Sequence, residues 1–185
     1  MNLPAGLCDN NLEVFMHEGI LKASFDGKIQ LFDDLPEDIK TIFLDYMLEN
    51  PTAIKSMHSM GKSDINEMLI QYVSCRFGGF DNNPDLNPET QKLLPEYWDC
   101  GHRNACPFEG KICEMVKVGD TYLTKREIMV IQEIALGFPD KNAADKLHIS
   151  ELTFVVHKRN IYAKMGINSK TELVTFAIKN NIVSL

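Results

Sequence analysis

The chain has 185 residues and a mass of 21.0 kDa, room for one medium domain or two small ones. Hydrophobic residues make up 44% and charged residues 24%, which excludes a disordered chain, and there is no apolar run of about 18 residues to cross a membrane as a helix. The net charge of −7 is uneven: residues 1–120 hold 10 Lys and Arg against 20 Asp and Glu, and residues 121–185 hold 9 against 6, a split that predicts two parts with different partners.

The N-terminus lacks the basic-then-apolar pattern of a secretory signal, so a cytoplasmic chain is expected. From Asn11 to Ala23, the spacing of Leu12, Phe15, Met16, Ile20 and Leu21 predicts a helix. Phe25-Asp26-Gly27 predicts a turn. Pro36, Glu37 and Asp38 open a second helix with the stripe Ile39, Ile42, Phe43, Tyr46 and Met47, because proline and acids suit a helix start. Asn50-Pro51 ends it, and a shorter helix follows to Met60. Ser63 is the expected cap of another helix, carrying Ile65, Met68, Leu69, Tyr72 and Val73. Residues 77–99 are rich in Gly, Asn, Asp and Pro and predict turns, with a short helix around 88–94. No hydrophobic strand run stands out in residues 1–90.

Beyond Leu123 the pattern sharpens. Thr124 and Glu127 form a predicted capping box, with Ile128, Ile131, Ile134 and Ala135 on one face and Gly137 as the stop. Residues 139–147 predict a short second helix. Ser150 caps a third that runs to Met165 and closes at Gly166, and Ser169 caps a fourth. A short helix, a tight turn and a longer helix make a helix-turn-helix arrangement.

These residues resemble the LuxR-type (GerE-like) helix-turn-helix domain of bacterial transcription regulators. The likeness rests on Leu123-Thr124 with Arg126-Glu127, Ile134-Ala135 with Gly137, then Ala144 and Leu147. It continues through Ile149-Ser150-Glu151, Thr153, His157, Asn160-Ile161-Tyr162, Lys164 and Gly166, and ends on Ser169, Thr171-Glu172-Leu173 and Ala177. It covers about residues 121–182. It implies a four-helix DNA-binding domain with a core from Asp140 to Arg159, the third helix entering the major groove and the fourth helping to form a dimer. At 100° per residue, Phe154, Ile161 and Met165 share the core face. Leu152, Val155, Val156, Arg159 and Ala163 share the opposite one. Family members usually carry lysine where this chain has Val155, and often where it has Leu152. Valine can meet a thymine methyl and Arg159 a guanine or a phosphate, but each absent lysine removes a phosphate contact and its counterion release. Thr153, His157, Asn160 and Lys164 lie along one flank, placed to reach the phosphate backbone.

Five cysteines are present, and in a reducing compartment clustered cysteines point to metal or redox chemistry. Cys100, Cys106 and Cys113, with Cys75 upstream and His102 close by, form a soft donor set for zinc, with an iron–sulfur cluster as the second choice. Cys8 stands apart. There is no phosphate-binding Gly-rich loop, His-Glu-x-x-His or Gly-x-Ser-x-Gly, so a non-enzyme is expected. The expectation is therefore a mainly α chain: a helical N-terminal domain at 1–95 for dimerisation or sensing, a Cys-rich connector at 96–120, and a LuxR-type DNA-binding domain at 121–185. It would be a transcription regulator that binds double-stranded DNA as a homodimer and has no membrane association. The rival readings are a protein-interaction module that keeps the helix-turn-helix fold, and a metal- or redox-sensing regulator.

Overall fold

The computed structural model describes residues 4–183. Its chain divides into two compact units, one up to residue 114 and one from residue 115.

The first unit opens on an antiparallel sheet of β1 (Glu13–His17), β2 (Ile20–Phe25) and β3 (Lys28–Leu31) in sequential order. The N-terminal domain is thus not purely helical, and the helix expected over 11–23 is corrected to a β-hairpin. The physical reason lies in two tight turns. His17 pairs with Ile20 and Phe25 with Lys28, so each connection has two residues. Glu18 and Gly19 have φ of 52° and 77°, and Asp26 and Gly27 have 53° and 75°. Two successive positive φ values match the twist of the flanking strands, and an Asx-Gly or Glu-Gly pair can adopt them. The apolar residues then alternate with period two. Leu12, Val14, Leu21 and Ala23 belong to the buried core, with Met16 and Phe25 packed against it. Phe15 emerges on the other face and meets Phe80, ring centroids 4.5 Å apart.

A 3-10 turn (Phe32–Asp34) leads to three helices: α1 (Glu37–Leu48), α2 (Pro51–Ser59) and α3 (Ile65–Arg76). Asn50 caps α2, its Oδ1 accepting from Ala53 N at 3.0 Å. The cap of α3 is Asp64, one residue beyond the expected Ser63; its Oδ1 accepts from Asn66 N and Glu67 N. A carboxylate there also suits the positive helix end. Ile39, Phe43 and Met47 of α1 and Met68, Leu69, Tyr72 and Val73 of α3 complete the core. In it Phe43 meets Phe32 and Phe77 edge to face. The helix expected over 88–94 is replaced by a small hairpin, β4 (Leu86–Asn87) and β5 (Lys92–Leu93). Asn87 Oδ1 accepts from Thr90 N, and Gln91 takes φ 54°, a left-handed residue that stops helix growth.

The second unit begins with β6 (Lys117–Val118) and β7 (Thr121–Tyr122), then α4 (Lys125–Ala135), α5 (Asp140–Lys146), α6 (Glu151–Met165) and α7 (Lys170–Lys179). Helix α4 packs on α7, and α6 packs on both α5 and α4. Ile128, Ile131, Ile134, Ala143, Ala144, Phe154, Ile161, Leu173 and Ala177 are buried. Among the described residues no helix is long and apolar enough to cross a membrane.

Candidate nucleic-acid interface

Three of the four helix starts in the second unit, those of α4, α6 and α7, are capped by side chains. Thr124 and Glu127 make a reciprocal capping box on α4, Ser169 and Glu172 make another on α7, and Ser150 Oγ accepts from Thr153 N at 3.1 Å on α6. The turn between α5 and α6 is a Schellman closure. Ile149 N donates to Ala144 O at 3.0 Å and His148 N to Asp145 O at 3.1 Å, with His148 at φ 53°. That position usually carries glycine. His148→Gly should therefore raise the stability of this unit by up to about 1 kcal/mol, read from the urea midpoint; a loss would show that the histidine side chain contributes more than its backbone strain costs.

Helix α6 buries Phe154 and Ile161, two turns apart, against the core. Its outer face carries Leu152 at 75% exposure, Val155 at 42% and Val156 at 38%, with Arg159, Asn160 and Thr153 also exposed. His157 is half-buried. Arg159 has no ion pair or side-chain hydrogen bond among the described residues. The other cations around it are engaged. Lys158 Nζ holds Asp140 at 2.8 Å, joining α6 to the start of α5. Lys164 Nζ donates to Glu127 Oε2 at 2.7 Å and to Tyr122 O at 2.8 Å, bracing α6 on α4. Burial works against the Glu127 charge, but hydrogen bonds from Lys164 and Thr124 outweigh it and hold the carboxyl below its usual range. Arg126 Nη2 donates to Leu147 O at 3.0 Å, an intradomain role.

Residues 121–177 match the model of the family described as bacterial regulatory proteins, luxR family. The C-terminal third is a LuxR-family domain. The oxygen regulatory protein NreC of Staphylococcus aureus strain JH9 is 41% identical to this chain over 61 residues, which is 33% of this chain and 28% of NreC. NreC from strains JH1 and Mu3 gives the same figures. The chain thus spans little more than a quarter of the length of these relatives. In the LuxR-family domain, the short α5, the His148 turn and the capped α6 stand where a helix-turn-helix is expected, and α6 turns its outer face to solvent.

The expected metal ligands lie in the first unit. Cys75 lies in the last turn of α3, and Cys100, Cys106 and Cys113 lie in the loop that follows β5. All four are free thiols and partly buried; Cys8 is exposed. They do not form a ready-made coordination sphere: among the described residues, no three His, Cys, Asp or Glu side chains stand where they could hold a metal ion. His102 is exposed. Sequence reasoning missed a second feature of this unit, a buried group of carboxyls. Glu13, Asp85 and Glu96 are all buried. Glu13 Oε1 accepts from Asp81 N, Asp85 Oδ2 from Val14 N and Glu96 Oε1 from Gly79 N. Their positions in sequence gave no sign of convergence, since only the sheet brings residue 13 beside 81–96.

Proposed function

We propose that this chain is a DNA-binding transcription regulator. Helix α6 lies in the major groove, and a homodimer reads two half-sites about one helical turn apart. The observation that carries this reading is the outer face of α6, which presents the unpaired Arg159 between exposed apolar and small polar side chains in a LuxR-family domain. Val155 and Val156 meet thymine methyls, and Arg159 meets a guanine edge or a phosphate. Thr153, His157 and Asn160 flank the backbone. Lys164, already held by Glu127 and Tyr122, acts as a brace for α6. A role on DNA places the chain in the cytoplasm.

Arg159→Ala tests this. On a bound duplex the substitution should weaken affinity by about 1–3 kcal/mol and flatten the log K against log salt plot by about 0.9, measured by fluorescence anisotropy from low to moderate salt. Unchanged affinity and slope would remove α6 from the groove. A specific observation favours a second reading: Leu152, Val155 and Val156 together make an apolar outer face where lysines are usual in the family. Wild-type protein that fails to bind random duplex at low salt would make that face a protein-binding surface instead.

A further inference from the structure

We propose that the free edge of the N-terminal sheet, strand β3, pairs with the same edge of a second copy of this chain and joins two three-stranded sheets into one of six strands. The two edges of the sheet differ. At β1 the chain itself occupies the outward backbone groups. Leu12 N, just before the strand, donates to Leu86 O at 2.9 Å, Val14 N to Asp85 Oδ2 at 2.7 Å and Met16 N to Gly78 O at 3.0 Å. At β3 the edge is open. Lys28 and Gln30 stand opposite Phe25 and Ala23 after a two-residue turn, the positions that exchange backbone hydrogen bonds with β2. Ile29 and Leu31 therefore turn their backbone outward. Among the described residues, no other segment meets the Ile29 N–H and C=O or the Leu31 N–H. Leu31 is also the N-cap of the 3-10 turn, so its C=O serves that turn with one of its two lone pairs. The side chains of Ile29 and Leu31 share the outer face of the sheet and are 54% and 44% exposed, with Ile20 exposed on the same face. An unpaired edge flanked by apolar side chains is a template for another strand.

The edge is complementary to itself, which selects a second copy as its occupant. With a two-fold axis through Gln30, Ile29 faces the partner's Leu31 and Leu31 faces the partner's Ile29. Both are outward-turned positions, so each pair exchanges backbone hydrogen bonds and sets one apolar side chain beside the other. An axis through Ile29 would instead draw in Gly27, whose N–H already goes to Gly6 O at 2.9 Å and whose φ is 75°. The charges agree with the axis at Gln30. Lys28 starts the strand and Asp33 and Asp34 follow its end, all exposed, so each Lys28 comes near the partner's two acids. Asp26, in the turn, offsets part of this attraction. The contact is small: a four-residue ladder stays below the roughly 1,200 Å² at which stable interfaces begin, so the dimer is weak and depends on concentration. This deepens the homodimer of the proposed function by naming a contact for it, and it rests on that reading only in the dimer.

The test is analytical ultracentrifugation of the full chain, reduced and free of DNA, from micromolar to several hundred micromolar. Wild type should pass from monomer to dimer across that range. Leu31 has φ −68°, which proline adopts, and its N–H is the outward one, so Leu31→Pro removes a ladder donor and costs no bond within the sheet. It should weaken the dimer at least about tenfold at an unchanged urea midpoint, while Leu152→Ser, on the outer face of α6, dimerises as wild type does. A wild type that stays monomeric throughout overturns the proposal, and so does a Leu31→Pro dimer of wild-type affinity. If Leu31→Pro fails to fold, a cross-link decides. Gln30 faces the partner's Gln30 as a non-hydrogen-bonded pair, with Cα atoms about 4.5 Å apart and within disulfide reach. With oxidised glutathione as the oxidant, Gln30→Cys should form a covalent dimer at least about tenfold faster than Lys28→Cys or wild type with its native cysteines; equal rates overturn the pairing. None of these readouts involves DNA, so failure here leaves the DNA-binding reading standing, and failure of that reading leaves the edge contact testable.

Discussion

Phe154→Ala is expected to destabilise the second unit by about 3–5 kcal/mol. The ring is completely buried on the inner face of α6, and α6 meets both α4 and α5 there. Removing it leaves a void that the packed helices around it cannot close by shifting. A unit of this size has about 4–10 kcal/mol of total stability, so the substitution takes most of it. The melting midpoint should fall by more than about 10 °C. The chain contains a single tryptophan, Trp98, and it lies in the first unit. Urea unfolding followed by Trp98 fluorescence should therefore change little, while far-ultraviolet circular dichroism loses helix at lower urea. DNA binding should disappear with the helix. Arg159→Ala is the counterpart, since Arg159 is exposed on the outer face and its loss should leave both transitions in place. A loss under about 1 kcal/mol in Phe154→Ala would mean that α6 does not pack as described.

The ease of reading the two units differed for a physical reason. In the second unit the signals are local. Thr124 with Glu127, Ser150, Ser169 with Glu172 and the closing Gly166 each satisfy backbone groups within four residues, so the linear sequence already shows all four helices. The inner face of α6 was legible from Phe154 and Ile161, and its apolar outer face from Leu152, Val155 and Val156. In the first unit the deciding signals were two-residue turns. Leu12, Phe15 and Met16 fit a helical period, but Leu12, Val14 and Met16 fit a strand equally well, and only Glu18-Gly19 and Asp26-Gly27 separate the two. The engagement of Lys164 was not legible, because its partners Glu127 and Tyr122 lie some 40 residues away. The buried carboxyls were hidden for the same reason.

Those carboxyls make the stability of the first unit depend on pH. Burial raises Glu13 to about 9, with the charges of Asp81 and Glu96 adding to it against the hydrogen bonds from Asp81 and Asp85. Burial and the charge of Asp81 raise Glu96 to about 7, against the hydrogen bond from Gly79 N. Asp85 is raised by burial, by Glu13 and by Glu96. In the unfolded chain the two glutamates titrate near 4.5. From about 4.5 upward the folded unit therefore binds more protons than the unfolded one, and its stability falls as pH rises, through about 7 for Glu96 and about 9 for Glu13. The slope is about 1.4 kcal/mol per pH unit for each carboxyl that still holds its excess proton. Glu13 is 1% exposed and its Oε2 has no hydrogen-bond partner, so solvent does little to relieve its charge. Glu13→Gln removes the ionisation but keeps an oxygen for Asp81 N. Measured by urea unfolding with Trp98 fluorescence, the variant should match wild type near pH 5 and exceed it by a few kcal/mol at pH 8, with a shallower pH slope. Parallel profiles for the two proteins would show that Glu13 is already ionised in the folded state, and that its neighbours accept the charge.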